Sequence, residues 1–100
     1  MKPGTQAGVH ETATIERGAR VSKHATVEAG AYVGENATVG KHARVGADAV
    51  VGAGASIGRH ATVRPGAYVG TDAQVADSAT IGSDVALDAG ETVDRQALGH

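Results

Sequence analysis

The sequence predicts an all-β solenoid, a chain of very short parallel strands that coils on itself and stacks. Three observations carry that prediction. Every sixth residue from Val9 to Val93 is a branched aliphatic, fifteen in succession, among them Ile15, Val33, Val51, Val69 and Leu87. Four places after each stands alanine, from Ala13 through Ala79 and again at Ala97, with Val85 and Glu91 the exceptions. The chain has 15 glycines and 2 tyrosines but no phenylalanine or tryptophan, so its core must be narrow and repetitive rather than centred on large rings.

Each six-residue unit divides into a strand and a corner. The alanine and the next aliphatic are two residues apart, which puts both side chains on one face of a strand and the residue between them on the other. A helix is excluded, because a six-residue period drifts around a 3.6-residue turn and leaves no apolar stripe. Three residues after the aliphatic, twelve of the fifteen units carry Gly, Asn, Asp or His, the residues that tolerate positive φ. Immediately after the aliphatic, seven units carry Gly, which suits a tight corner. Strands this short can cover their inward side chains only with the next coil, which is the logic of a solenoid. Residues 1–8 read as a lead-in, 9–98 as the solenoid with 81–98 as its capping coil, and 99–100 as a tail.

Units such as VGENAT (33–38), VGKHAR (39–44) and IGRHAT (57–62) carry a further signal. An aliphatic, then Gly, Ala, Glu or Asp, two free positions, a small residue and one more resembles the hexapeptide-repeat family over residues 9–98, with only His10, Ser22 and Arg64 departing at the second position. The resemblance implies a left-handed parallel β-helix of triangular section with three hexapeptides per coil, hence about five coils. It also implies trimers, and in the acyltransferases of the family a histidine base at a subunit interface.

Composition narrows the function classes. A net charge of −2 gives no bulk attraction to nucleic acid or an anionic membrane, and no apolar run approaches a membrane span. The opening MKPGTQAG has no apolar stretch, so a signal peptide is not expected and a cytoplasmic location is the default reading. No cysteine is present, which removes disulfides, thiolate metal sites and a thiol nucleophile. The glycines follow the hexad rather than a strand-to-helix phosphate loop, so they give no nucleotide signal. No cofactor and no small-molecule substrate is indicated. Residues 72–100 carry six acids and one base while residues 1–71 carry five acids and eight bases, which reads as an acidic cap that discourages edge pairing.

Residues eighteen apart stack, so the outward positions fall into columns on three faces. One face carries Tyr32, Val50 and Tyr68 beside Gly34, Gly52 and Gly70. It is the candidate self-association face, with the glycines read as room for a partner. The second shows Arg20, Thr38, Ser56, Gln74 and Thr92; the third shows Thr26, Arg44, Thr62 and Thr80, flanked by Glu28, Gly46, Arg64 and Gly82. Both read as solvated. At one corner His24, His42 and His60 form a column, each preceded by a base, Lys23, Lys41 and Arg59. They occupy positions that Gly, Asn or Asp fill elsewhere, so a turn role suffices for them, and an anion site or an active-site corner is the alternative. Zinc is disfavoured, because neutral imidazoles offer no charge to offset the three cations alongside.

These residues lead to an expected function of non-enzymatic scaffold or self-associating trimer, with no catalytic or metal residues. The uniformity also fits an idealised, consensus or designed sequence. The alternative is a trimeric, acyl-CoA-dependent acyltransferase whose site lies between subunits at the His24, His42, His60 corner.

Overall fold

The inward pairs are small and evenly spaced, so each coil closes on itself without a loop and the next lies directly upon it. The computed structural model describes residues 8–22, 24–94 and, in backbone, 96–97. It is a left-handed triangular β-helix of about five turns, with extents of 40 × 20 × 19 Å. Strands of two residues alternate with four-residue corners. Sheet 1 stacks β1 (Gly8–Val9), β4 (Thr26–Val27), β7 (Arg44–Val45), β10 (Thr62–Val63), β13 (Thr80–Ile81) and β15 (Gln96–Ala97). Sheet 2 stacks β2 (Thr14–Ile15), β5 (Tyr32–Val33), β8 (Val50–Val51) and β11 (Tyr68–Val69). Sheet 3 stacks β3 (Arg20–Val21), β6 (Thr38–Val39), β9 (Ser56–Ile57), β12 (Gln74–Val75) and β14 (Thr92–Val93). All pairs are parallel, and Tyr32 lies opposite Val50 and Val50 opposite Tyr68 in the eighteen-residue register.

The core is a column of alanine and valine. Ala25, Val27, Ala31, Val33 and their repeats through Ile81 are buried, while among the described residues no polar or charged residue is buried. At the first coil Val9, Ile15 and Val21 are only half-buried, because among the described residues no earlier coil covers them. Backbone groups are satisfied along the axis: the Thr14 N–H donates to the Ala31 carbonyl at 2.8 Å and the Glu16 N–H to Val33 at 2.9 Å. Pairing thus runs from coil to coil, as a buried parallel ladder requires.

The corners are β-turns whose third residue has positive φ. In the corner 34–37 the Ala37 N–H donates to the Gly34 carbonyl at 3.2 Å, and Asn36 sits at φ 60°. Positive φ at that place is the type II signature. The same conformation holds from Gly18 through Gly90, and it includes Ser78 at φ 64°, a residue type the turn pattern in the sequence did not count. Pro65 followed by Gly66 fits the turn directly, since proline pre-sets the second residue's φ.

Two expectations change. Gly34, Gly52 and Gly70 are buried, and a Cβ on Gly52 would come within 2.7 Å of the Thr71 nitrogen in the next coil. These glycines let coils approach each other; they do not leave space for a partner. The terminal coil also ends early, for Thr80 pairs with Gln96 and Ile81 with Ala97, two residues short of the eighteen-residue step. Gly99 stands where the next aliphatic would fall, so the hexad has no side chain there to hold the regular register. Glu91, at a nominally inward place, is exposed, and its carboxylate accepts the Asp88 N–H at 2.9 Å. The residues of the lead-in before Gly8, Arg95 and positions 98–100 lie outside the described residues. Among the described residues no helix is long and apolar enough to cross a membrane.

Val51 is fully buried in the middle coil while its neighbour Val50 faces outward and is half-buried. Val51→Asp should abolish the β circular dichroism and the cooperative thermal transition, because it places an unpaired charge in the core. Val50→Asp should keep both. Equal behaviour of the two variants in a thermal melt would mean that the register is wrong.

Candidate functional site

The chain passes from sheet 1 to sheet 2 to sheet 3 and back, so each corner column joins two particular faces. Thr12, Gly30, Asp48, Gly66 and Asp84 line the edge between sheets 1 and 2; Gly18, Asn36, Gly54, Asp72 and Gly90 line the edge between sheets 2 and 3. Both alternate Gly with Asn or Asp in their later members for a steric reason. A Cβ on Gly54 would collide with the Asp72 carboxylate, and one on Gly30 with that of Asp48. At these edges the side chain of one coil lies against the turn of the preceding coil, and only glycine admits it.

The third edge, between sheets 3 and 1, is built differently. His24, His42 and His60 sit there at φ 64°, 62° and 59°. Their imidazoles stack face to face, with centroids 5.0 and 4.9 Å apart and planes within 5° and 8° of parallel. Rings that stack along the axis need no glycine between them, which is why three like residues can follow one another here. Lys41 and Arg59 are exposed beside the stack; Lys23 lies outside the described residues. The Arg59 N–H donates to the Asp77 carboxylate at 3.0 Å, so an acid closes the basic edge at its far end. Parallel rings do not converge on a common point, and among the described residues no group of three or more His, Cys, Asp or Glu is placed to hold a metal ion.

His42, between two rings, titrates below the ordinary imidazole value, first through loss of solvation and then through repulsion from His60, His24 and Lys41. It is therefore the neutral, proton-accepting form that prevails near pH 7. The same corner column continues at Ser78, at φ 64°, and what the stacked imidazoles can do chemically is accept a proton or meet an anion.

The tyrosine stripe lies on sheet 2, the face opposite the histidine edge. Tyr32 is 36% exposed and Tyr68 44%, with Val50 half-buried between them. The Tyr32 hydroxyl is held above the ordinary phenol range, chiefly by its hydrogen bond to the Glu16 carboxylate, then by lost solvation and by repulsion from Glu16 and Glu35. The stripe is thus narrow and bordered by acids. A closed three-fold ring joins two patches whose directions from the subunit centre differ by about 60°, and face and opposite edge differ by about 180°. One ring cannot use both the tyrosine face and the histidine edge as its two joined surfaces.

Sheet 1 was expected to be plain and solvated, yet it carries a groove of about 330 Å3 lined by Glu28, Arg44, Gly46, Thr62 and Arg64 among others. Arg44 Nε lies 3.5 Å from Glu28 Oε2. This feature joins residues from three successive coils, and only the stacked register, read column by column, could have pointed to it.

A comparison of the sequence with curated proteins returns no match. The family model described as bacterial transferase hexapeptide (six repeats) matches residues 36–71. The fold is similar to the acetyltransferase domain of PglB from Neisseria gonorrhoeae, at 22% identity and a TM-score of 0.61, covering 91% of this chain and 50% of that one. It is also similar to GDP-perosamine N-acetyltransferase from Caulobacter crescentus, solved as a histidine-to-alanine variant in complex with CoA and GDP-perosamine. That match has 25% identity and a TM-score of 0.53 and covers 91% of this chain and 49% of the other. The chain spans about half the length of both. These findings correct the expectation of a non-enzymatic scaffold, since the matching family is one of transferases and both structures are acetyltransferases. They give no support to a designed or consensus origin.

Because protonation of His42 is disfavoured in the folded chain, the stack favours folding fully only above about pH 6.5, the unfolded imidazole value, and loses that contribution as pH falls through the lower folded value. Replacing His24, His42 and His60 together by Asn, which also adopts positive φ, should keep the fold. It should remove this part of the acid sensitivity, read as a smaller drop in thermal midpoint between pH 7 and pH 5. A drop as large as that of the unsubstituted chain would show that the stack is not its source.

Proposed function

The chain belongs to the bacterial transferase hexapeptide repeat family, and on that premise we propose that it serves acyl transfer from acyl-CoA to an amine or hydroxyl acceptor, as a trimer with its site between subunits. The observation that carries the proposal is the similarity to GDP-perosamine N-acetyltransferase, whose structure holds CoA and the nucleotide-linked sugar. The histidine edge supplies the group that such a reaction needs. His42, held in its neutral form between His24 and His60, takes a proton from the acceptor as its nitrogen or oxygen bonds to the thioester carbonyl carbon. The carbon–sulfur bond then breaks, and the proton passes from His42 to the departing CoA thiolate. His24 and His60 hold the ring in place from either side, while Lys41 and Arg59 make the edge attractive to an anionic substrate.

A single edge is convex and shelters no substrate, so the neighbouring subunit must provide the other wall. Ring closure at the histidine edge leaves Tyr32, Val50 and Tyr68 on the outside, where contact with another copy would be separate from the trimer.

Two measurements test this. With acetyl-CoA and a panel of amino-sugar and hydroxyl acceptors, release of free CoA should fall at least a hundredfold in His42→Asn with the fold retained, in keeping with the usual worth of a general base. No acceptor-dependent CoA release from the unsubstituted chain would remove the proposal. In sedimentation equilibrium, Tyr32→Glu with Tyr68→Glu should leave the trimer intact. A monomer would instead put the ring's contact on the tyrosine face.

A further inference from the structure

Sheet 1 carries a polar groove whose construction can be read residue by residue. Arg44 on β7 and Thr62 on β10 are register partners on adjacent coils. Arg64 follows Thr62 by two residues, so it is the diagonal neighbour of Arg44, at the roughly 7–8 Å separation that long side chains bridge. In the corner column that runs from Glu28 through Gly46 to Arg64, glycine is needed at the middle place because a Cβ on Gly46 would come within 2.5 Å of the Pro65 nitrogen, so the coils close up there. The groove itself is the hollow that Arg44, Thr62, Arg64 and Pro65 line together on the outer surface, with Glu28 at its border. Glu28, one coil earlier, is ion-paired with Arg44 at 3.5 Å, and both partners are substantially exposed. An exposed pair of this kind is weak and readily exchanged.

We infer that this groove binds a diphosphate group, with Arg44 and Arg64 each taking one of its two phosphates and Glu28 holding Arg44 until the ligand arrives. The two cations sit at diagonal positions rather than around one point, which matches a ligand with two linked anionic centres better than a single phosphate. Guanidinium is the donor suited to such oxyanions, because its planar fork meets two oxygens at once. The larger cavity, about 450 Å3 at the amino-terminal end, is lined mainly by apolar groups of the uncovered first coils and offers no comparable charge. The inference deepens the acyl-transfer reading and rests on it for the ligand's source: CoA and a nucleotide-activated acceptor both carry a diphosphate. Sheet 1 also adjoins the histidine edge, and face and adjacent edge differ in direction by about 60°, the relation a three-fold ring needs. In such a ring the edge of one subunit can face the groove of the next.

The test is calorimetric titration of the full chain with sodium pyrophosphate at low ionic strength, where surface charges are least screened. Arg44→Gln and Arg64→Gln should each weaken binding about tenfold or more, as expected for loss of a charge-assisted contact. Glu28→Gln should strengthen it severalfold, because the competing carboxylate is gone. Arg20→Gln, on sheet 3, should leave it unchanged. Titrations with CoA and with GDP then separate the two sources: the one that loses affinity in Arg44→Gln is the groove's ligand. The inference is overturned if pyrophosphate does not bind, if Glu28→Gln weakens binding, or if affinity survives both arginine substitutions. The acyl-transfer reading is judged apart from this by CoA release. Pyrophosphate binding without turnover would keep the groove and sink the reaction, whereas turnover with an unchanged KM for acyl-CoA and acceptor in Arg44→Gln and Arg64→Gln would do the reverse.

Discussion

Everything in this molecule depends on coils lying directly on one another at an eighteen-residue step, so that strand N–H groups find carbonyls in the adjacent coil, as Thr14 does at Ala31 and Tyr32 at Ala49. That condition allows no variation in corner length across the described interior. It also allows few large inward groups, and the core is accordingly alanine and valine with isoleucine at only a few places. No single valine contributes more than a few kcal/mol on burial. The stability of such a fold comes from repeating a small gain at every step, with neighbouring coils supporting one another. The ends are where this support runs out: the first coil's aliphatics are partly open, and the last ladder slips by two residues.

The same constraint turns the outer surface into columns, and the columns explain what each corner can hold. Where an Asn or Asp leans on the preceding turn, the residue beneath must be glycine. Where imidazoles stack, three can stand in line. Acidic side chains predominate on the two edges that flank the tyrosine face, with Arg17 and Arg64 among them, while the third edge carries the histidines with Lys41, Arg59 and Asp77. A substrate that bears phosphates therefore meets attraction only where a cation stands, at the histidine edge or at the arginines of sheet 1.

The fold was legible because the six-residue period fixes three things together: which residues face inward, where the chain turns, and which residues stack. His24, His42 and His60 could be placed at one corner from the sequence, and their positive φ could be expected from the Gly, Asn and Asp in equivalent places. Ser78 was missed, since serine is not among the residues that announce that conformation. Gly34, Gly52 and Gly70 were misread because a sequence shows that a side chain is missing but not on which side of the backbone it would have met an obstacle. The groove was missed for a related reason. Glu28, Arg44 and Arg64 were seen as separate charges on a wet face, and the concavity belongs to none of them singly. The function was misjudged because a turn role was taken as sufficient for His24, His42 and His60 and the uniformity of the repeat was weighed as lack of chemistry, when in a repeat protein a site can be shared between copies.

The most direct measurement of the central claim is to delete one coil and compare it with an almost identical deletion that breaks the step. Removal of residues 48–65 takes out eighteen residues and rejoins Ala47 to Gly66 in register. The account predicts a shorter solenoid with β circular dichroism per residue and cooperative unfolding both retained. Removal of residues 48–64 is one residue short, and it reverses every inward and outward position downstream. That chain should lose the cooperative transition. Cooperative unfolding in both deletions, or in neither, would contradict the claim that the eighteen-residue step holds the molecule together.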